Sequence, residues 1–402
     1  MKDAPIYWTN PHKHEFQVTI VSCMKNDETF QLEIREDVIR PAGGGQAGDK
    51  GTLLIDDAAI RVYDTSLIDG VVILVTDKPV KPEITGFLEI DMNWRRASMR
   101  NHTAEHIFMS AMKRIMPESE LGYIWIDGDH GTVDIMGSEI GLGHILESEK
   151  KVQDIIASSV PVISELVPAE ELPDDVRARE GITDRHDIMR IVGVGDFDKS
   201  ACSGIHVANT GDIGVFKVRD FKPVEGGVRV EFVTGSKAIF ELSEIYNQVL
   251  ERKQDYPYEM EQVGAIIDKA KVVSKNRAAM IIKISDLVPN TPGLKLTNGV
   301  TFIHHYLPGF DAKEMKPLIK KLKPEEPYAV LLFAPSHKPT LIFVTGNMPK
   351  DASEYVAEAI RELGGKGGGS KDVYTGGFSE VSEPTILYEK LVERLGRELS
   401  QI

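Results

Sequence analysis

His102-Thr103-Ala104-Glu105-His106 and Cys202-Ser203-Gly204-Ile205-His206 are the two stretches on which the reading of this chain turns. Each places two metal-ligating side chains four residues apart, which is about one turn if the segment is helical, so that both can reach one point. Together they offer three imidazoles and one thiol, a tetrahedral ligand set for zinc. The halves are far apart in the chain, so only a folded domain brings them together. Spacing alone leaves open whether they meet or are two unrelated pairs.

Beyond the first pair, Ile107, Ala111 and Ile115 continue the stripe begun by His102 and His106, which predicts a helix from Ala97 to Ile115, stopped by Pro117. The spacing is not that of a zinc protease. There a glutamate follows the first histidine directly, whereas here Thr103 follows His102 and Glu105 precedes His106. A shift of two positions is about 200° on a helix and turns the carboxylate away.

The first 93 residues read as β-rich: Val18–Val21, Phe30–Ile34 and Val71–Val75 are strand-like. Within them Pro41-Ala42-Gly43-Gly44-Gly45-Gln46-Ala47-Gly48-Asp49 is a glycine loop. Its composition favours a plain hairpin turn over a backbone that approaches a ligand. After the predicted histidine helix come strands near 123–127 and 133–136, a helix at 143–158, and strands near 188–194, 215–218 and 228–233, an α+β order. Ile239, Leu242, Tyr246 and Val249, and then Val263, Ile267, Ala270 and Val273, form two helix seams broken at Pro257, read as a helical hairpin. From Leu287 the chain becomes α/β, with strands at 299–304, 328–333 and 339–344 and helices at 312–322, 352–363 and 384–399. The expected architecture is α+β and multidomain: an N-terminal β-barrel-like domain (1–93), an α+β domain carrying the candidate zinc ligands (94–235), a helical hairpin connector (236–285) and a C-terminal α/β domain (286–402).

Composition excludes some classes. With 42% hydrophobic and 27% charged residues the chain has the balance of a soluble globular protein, and no apolar run reaches membrane-spanning length. The N-terminus lacks a signal-peptide h-region, and two cysteines argue against a disulfide framework, so a cytoplasmic location is expected. Cys23, in an apolar run, reads as a buried strand residue. The net charge of −15 discourages non-specific nucleic-acid binding, leaving local clusters to decide. These are Arg95, Arg96 and Arg100; Lys269, Lys271, Lys275 and Arg277; and Lys313, Lys316, Lys320, Lys321 and Lys323. Gly193-Val194-Gly195 lacks a dinucleotide fingerprint and Gly364–Gly369 lacks a phosphate-loop ending. Asp127, Asp129 and His130 read as a turn between strands, and His304-His305 as packing residues.

The extended motifs carry more than ligand spacing. Trp94-Arg95-Arg96-Ala97-Ser98-Met99-Arg100-Asn101-His102-Thr103-Ala104-Glu105-His106 resembles the editing domain of alanyl-tRNA synthetase and its freestanding relatives, the AlaX proteins. Cys202-Ser203-Gly204-Ile205-His206-Val207, followed by Asn209-Thr210-Gly211-Asp212-Ile213-Gly214, is similar to that family's second zinc motif. Arg40 to Gly51 is similar to the glycine motif of its barrel, and Gly364–Gly369 to a glycine-rich segment of the synthetase's C-terminal domain. The order and extent are those of the long AlaX type, with no room before the editing motif for an aminoacylation domain. The sequence departs from the commonest pattern at Glu105, where Thr is frequent, at Ser203-Gly204-Ile205, and at Ser370-Lys371 after the glycine run.

The resemblance implies a hydrolase that deacylates mischarged alanine tRNA, seryl-tRNA foremost and glycyl-tRNA second. It implies one Zn²⁺ per chain on His102, His106, Cys202 and His206, and a homodimer formed through the hairpin and C-terminal domain. An alanine pocket rejects an added hydroxyl by only about a hundredfold in comparable cases, so a second site must read that hydroxyl positively. Thr103 is the residue expected to do so, with Glu105 as a possible base. Gly43, Gly44, Gly45, Gln46 and Arg100 are expected to line the tRNA terminus. Two other readings stand beside this one: a dimeric tRNA-binding protein with a structural zinc, and an unrelated metallohydrolase of small esters.

Overall fold

The structure, a computed structural model, describes residues 4–173, 175–177, 188–255, 258–285, 292–319 and 326–401. The chain divides into two units, Met1–Asp255 and Tyr256–Ile402.

In the first unit a short helix α1 (Ile6–Thr9) precedes six strands: β1 (Glu15–Asn26), β2 (Thr29–Ile34), β3 (Gly51–Ile55), β4 (Ala58–Ile68), β5 (Val71–Thr76) and β6 (Thr85–Ile90). They close as a barrel in the order β1-β2-β5-β4-β3-β6, the last strand pairing back on the first. Alternation fits this closure: in β6 Gly86, Leu88 and Ile90 are buried while Thr85, Phe87 and Glu89 face out. Val18, Ile20, Leu32, Leu53, Leu74 and Leu88 fill the inside with essentially no exposure.

The histidine helix α2 (Met92–Ile115) begins five residues before the sequence expectation. Asp91 explains this, because its side chain caps the helix by accepting from the N–H groups of Asn93 and Trp94 at 2.9 and 3.0 Å. The helix is followed by β7 (Glu120–Ile126), β8 (Gly131–Met136), α3 (Leu142–Ser158), β9 (Val162–Pro168), β10 (Ile188–Val194), β11 (Asp198–Ala201), β12 (Phe216–Val224), β13 (Gly227–Thr234) and α4 (Gly235–Arg252). Two antiparallel sheets result, β12-β13-β8-β7 and β11-β10-β9. Helix α2 is buried over most of its circumference, from Ser98 to Met112, so polar residues on it are enclosed as well as apolar ones. Phe108, Phe216 and Phe232 pack with ring centroids 5.0–6.4 Å apart at the centre of this core.

The barrel is tied to the rest of its unit by a buried ion pair. Arg95, fully buried on α2, donates from Nε to Asp49 Oδ1 at 2.9 Å and from Nη2 to Oδ2 at 2.5 Å, and from Nη1 to the carbonyls of Pro11 and Lys13. Asp49 Oδ2 also accepts from the Arg40 backbone N–H at 2.7 Å. The Arg40 guanidinium in turn donates to the carbonyls of Gly43, Gln46 and Ala47, fixing the glycine loop. The loop then bridges to the end of β7: Ile126 N–H donates to Gly45 O at 2.7 Å and Ala47 N–H to Ile126 O at 2.8 Å. Gly45 has φ +83°, and a Cβ there would lie 2.5 Å from Ile124 Cγ2, so both backbone and space require glycine.

The second unit holds α5 (Val263–Ser285), β14 (Leu294–Lys295), β15 (Thr301–Tyr306), α6 (Ala312–Ile319), β16 (Tyr328–Ala334), β17 (Thr340–Gly346), α7 (Ala352–Glu362), β18 (Gly365–Gly369), β19 (Val373–Phe378) and α8 (Pro384–Ser400). Its sheet runs β14-β15-β16-β17-β19-β18, with β15 and β16 parallel and the remaining pairs antiparallel. The C-terminal glycine run forms strand β18, paired with β19 throughout. The two helices read as a hairpin fall in different units, α4 in the first and α5 in the second. Pro257, Leu287, Lys320, Lys321 and Lys323 lie outside the described residues.

Candidate metal centre

The two ligand pairs meet. One donor atom each from His102, His106, Cys202 and His206 lies within 4.8 Å of every other. Cys202 Sγ is 3.4 Å from His102 Nε2 and 3.3 Å from His206 Nε2. A tetrahedral zinc with bonds of about 2.0–2.3 Å has donor–donor edges of roughly 3.3–3.6 Å, which the two Cys202 separations match.

The two halves reach this point differently. His102 and His106 stand one turn apart on α2, as their spacing suggests. Cys202 and His206 are not helical: they follow β11 on a bent loop. Arg190 on β10 holds that loop, donating from Nη1 to Gly204 O at 2.7 Å, while its carbonyl accepts from Cys202 N–H at 2.9 Å. The loop passes so close to His102 that a Cβ at Gly204 would stand 2.0 Å from His102 Cε1 and 2.6 Å from Gln46 Oε1.

Each imidazole turns its second nitrogen to an acceptor, the arrangement that fixes tautomer and ring orientation in metal sites. With Nε2 facing the centre, His102 Nδ1–H donates to Gln46 Oε1 at 3.0 Å, His106 Nδ1–H to Asp198 Oδ2 at 3.2 Å, and His206 Nδ1–H to Thr103 Oγ1 at 3.2 Å. Gly204 N–H donates to Cys202 Sγ at 3.4 Å. Burial pushes the Cys202 thiol up, but the imidazoles of His102, His206 and His106 outweigh it and hold the group well below its usual range. Burial lowers His106, yet the Cys202 thiolate and the Asp198 hydrogen bond carry it up to about 10. Burial and the neighbouring His102 push His206 well down.

The centre opens on a cavity of about 800 Å³ lined in part by Gly44, His102, Glu105, His106, Arg177 and Cys202. Glu105 does not face solvent. Its side chain is 1% exposed, and Oε2 stands 3.8 Å from His106 Nε2.

Thr103 is not free to read a substrate hydroxyl. Its Oγ1 donates to Met99 O at 2.9 Å and accepts from His206 Nδ1–H and from Val207 N–H at 3.2 Å. One donor and two lone pairs are thereby used, which makes it a residue that orients His206. The glycine loop, read from composition as a plain turn, reaches the site instead. Gln46 Oε1 accepts from both His102 and Ile205 N–H, and its buried Nε2 has no hydrogen-bond partner among the described residues. Gly44 lines the cavity, with Gly43 and Gly45 on either side of it in the loop. Arg100 is not brought to this cavity: it donates from Nε to Asp212 O at 2.9 Å and lines a separate depression with His12 and Arg96.

Sequence reasoning missed Asp198, Arg177 and Arg190. Asp198 alone left a trace, four residues before Cys202, but that spacing places it beside His106 only once β11 is known. Asp127 does form a hairpin turn, its Oδ1 accepting from the N–H groups of Asp129 and His130. His304 Nδ1 packs 2.7 Å from the Tyr388 hydroxyl in the second unit.

Comparison with known proteins places this geometry in context. The sequence profile of the threonyl and alanyl tRNA synthetase second additional domain matches residues 189–231, which contain Cys202 and His206. Alanyl-tRNA editing protein AlaX-L of Pyrococcus horikoshii is 26% identical over 407 residues, covering 97% of this chain and 98% of its own. The alanine–tRNA ligase of Methanothrix thermoacetophila is 28% identical over 94% of this chain but 43% of the ligase, and that of Caldicellulosiruptor saccharolyticus is 28% identical over 93% and 45%. The chain thus spans less than half the length of these ligases and nearly all of AlaX-L. The resemblance carried by the motifs extends along almost the whole chain.

Proposed function

We propose that this chain, similar over nearly its full length to a freestanding alanyl-tRNA editing protein, is a hydrolase that deacylates mischarged tRNA of alanine identity. Water and the aminoacyl ester yield the free amino acid and a tRNA with its terminal ribose hydroxyl restored. Serine is the foremost amino acid and glycine the second. The observation that carries the reading is the convergence of four donors, three of them oriented imidazoles, at the wall of a cavity large enough for an aminoacylated terminal nucleoside.

His102, His106, Cys202 and His206 would hold one zinc ion. When bound, zinc supplies Lewis-acid polarisation or a positioning charge beside the ester, and a shell of four protein ligands favours positioning. The chain's own residues do the rest. Gln46, Asp198 and Thr103 hold the rings in place. The Gln46 amide, with a donor to spare, offers a hydrogen bond to the substrate terminus. The glycine loop presents backbone at Gly44. Because Thr103 is saturated, recognition of the serine hydroxyl falls to other polar atoms of the cavity.

The test is to incubate metal-loaded protein with Ser-, Gly- and Ala-tRNA of alanine identity and with the matching free esters. Release of serine from the tRNA, slower release of alanine, and little action on free esters are expected. Hydrolysis confined to free esters would defeat the tRNA reading, and hydrolysis of nothing would favour a binding protein.

A homodimer is part of the same proposal. Helix α4 exposes Ile239, Phe240, Ile245 and Tyr246 in the single chain, and α5 exposes Ile267, Val272, Val273 and Met280, all more than half exposed. Sedimentation equilibrium is expected to return the mass of two 44.6 kDa chains. A monomer at every concentration removes this part.

A further inference from the structure

Glu105 is an unusual carboxylate. It is enclosed on α2, yet Oε1 is buried without a hydrogen-bond partner, and among the described residues no N–H or O–H donates to either oxygen within hydrogen-bond distance. The cation nearest to it is Arg177, whose Nη1 is 3.7 Å from Oε1, and Arg177 is shared with Asp198 at 3.6 Å from Nη2. Nε and Nη2 of Arg177 are themselves buried, and among the described residues neither makes a hydrogen bond. These contacts balance charge without making hydrogen bonds. A buried carboxylate in that state is costly unless a donor reaches it. Among the described residues no such donor reaches it, while the carboxylate lines the cavity beside the four metal donors.

Every aminoacyl ester carries a group of the required kind, an α-ammonium with three N–H donors, one carbon from the ester carbonyl. We propose that Glu105 is the acceptor for the α-ammonium of the substrate's amino acid, a specificity-determining residue that selects esters with a free amine over N-acylated ones. Arg177 balances the carboxylate while the cavity is empty of substrate. A carboxylate engaged in this way holds the amino acid by its nitrogen and is not the base that takes a proton from water. The inference rests on the editing reading above and adds to it which end of the amino acid is held.

The experiment compares kcat/KM of the full-length, zinc-loaded protein on Ser-tRNA and on N-acetyl-Ser-tRNA of alanine identity, each divided by its uncatalysed hydrolysis rate. The expected preference for the free amine is on the order of 10- to 100-fold, the worth of one charge-assisted hydrogen bond. In Glu105→Gln the preference falls to within a few-fold of unity while zinc stays at one per chain. Equal normalised rates in the unsubstituted protein overturn the inference and leave editing intact. So does a Glu105→Gln protein that keeps the preference, or one that loses its zinc, which would make Glu105 part of the metal site. Hydrolysis of neither substrate sinks the editing reading itself, and the inference with it.

Discussion

Gly204→Ala is expected to disable the metal centre. The added methyl group would stand 2.0 Å from Cε1 and 2.3 Å from Nδ1 of His102, and 2.6 Å from Gln46 Oε1, all within hard-sphere contact. The loop cannot slide away, because Arg190 grips Gly204 O at 2.7 Å and Gln46 grips Ile205 N at 3.1 Å. His102 must therefore rotate out, breaking both its bond to Gln46 and its place 3.4 Å from Cys202 Sγ. Disturbing one outer-shell partner of a metal ligand costs about 10- to 100-fold in affinity or activity, and here the ligand and its partner are displaced together. Zinc per chain after dialysis against a weak chelator, and deacylation rate on Ser-tRNA, should both fall by at least that factor. A variant that keeps its zinc and a rate within about two-fold of the parent would show that His102 is not held as described.

Asp49→Ala is expected to be the most destabilising single change in the first unit. It removes both carboxylate oxygens from the fully buried Arg95 and the acceptor of the Arg40 N–H. Removing one partner of a buried pair leaves an uncompensated charge and costs about 3–5 kcal/mol. Consequences reach the site as well, since the glycine loop carrying Gln46 lies between Arg40 and Asp49. Urea unfolding should show the first transition moved to lower denaturant by that free energy, with Asp49→Asn moving it less because one acceptor survives. An unchanged transition for Asp49→Ala would mean that the pair does not join barrel to helix.

The ligand set was legible because it obeys a local rule. His102 and His106 share a helix face by spacing alone, and the bulky residues beyond them mark that helix. The Cys202–His206 half was legible as spacing but not as shape. Its bend is imposed by Arg190 from another strand, and nothing in the sequence near Arg190 announces that contact. Asp198 and Arg177 act on His106 and Glu105 across long chain separations and left little or no local signature. Glu105 could not be assigned a face, because α2 is enclosed over most of its circumference and has no clear solvent side. The glycine loop looked like a turn because composition reports backbone freedom, not where the loop docks. Its docking depends on the buried Arg40–Asp49–Arg95 contacts, which only the fold assembles. For Thr103, proximity to a ligand was visible, but the three bonds that engage its hydroxyl were not.

The decisive measurement is single-turnover deacylation of Ser-tRNA of alanine identity by the full-length protein. It is made with zinc present, after chelation and after zinc is restored, with zinc per chain determined in each state. The expected result is one zinc per chain and serine release that disappears with the metal and returns with it. Serine release at an undiminished rate from zinc-free protein, or none from protein carrying one zinc per chain, would contradict editing at this centre.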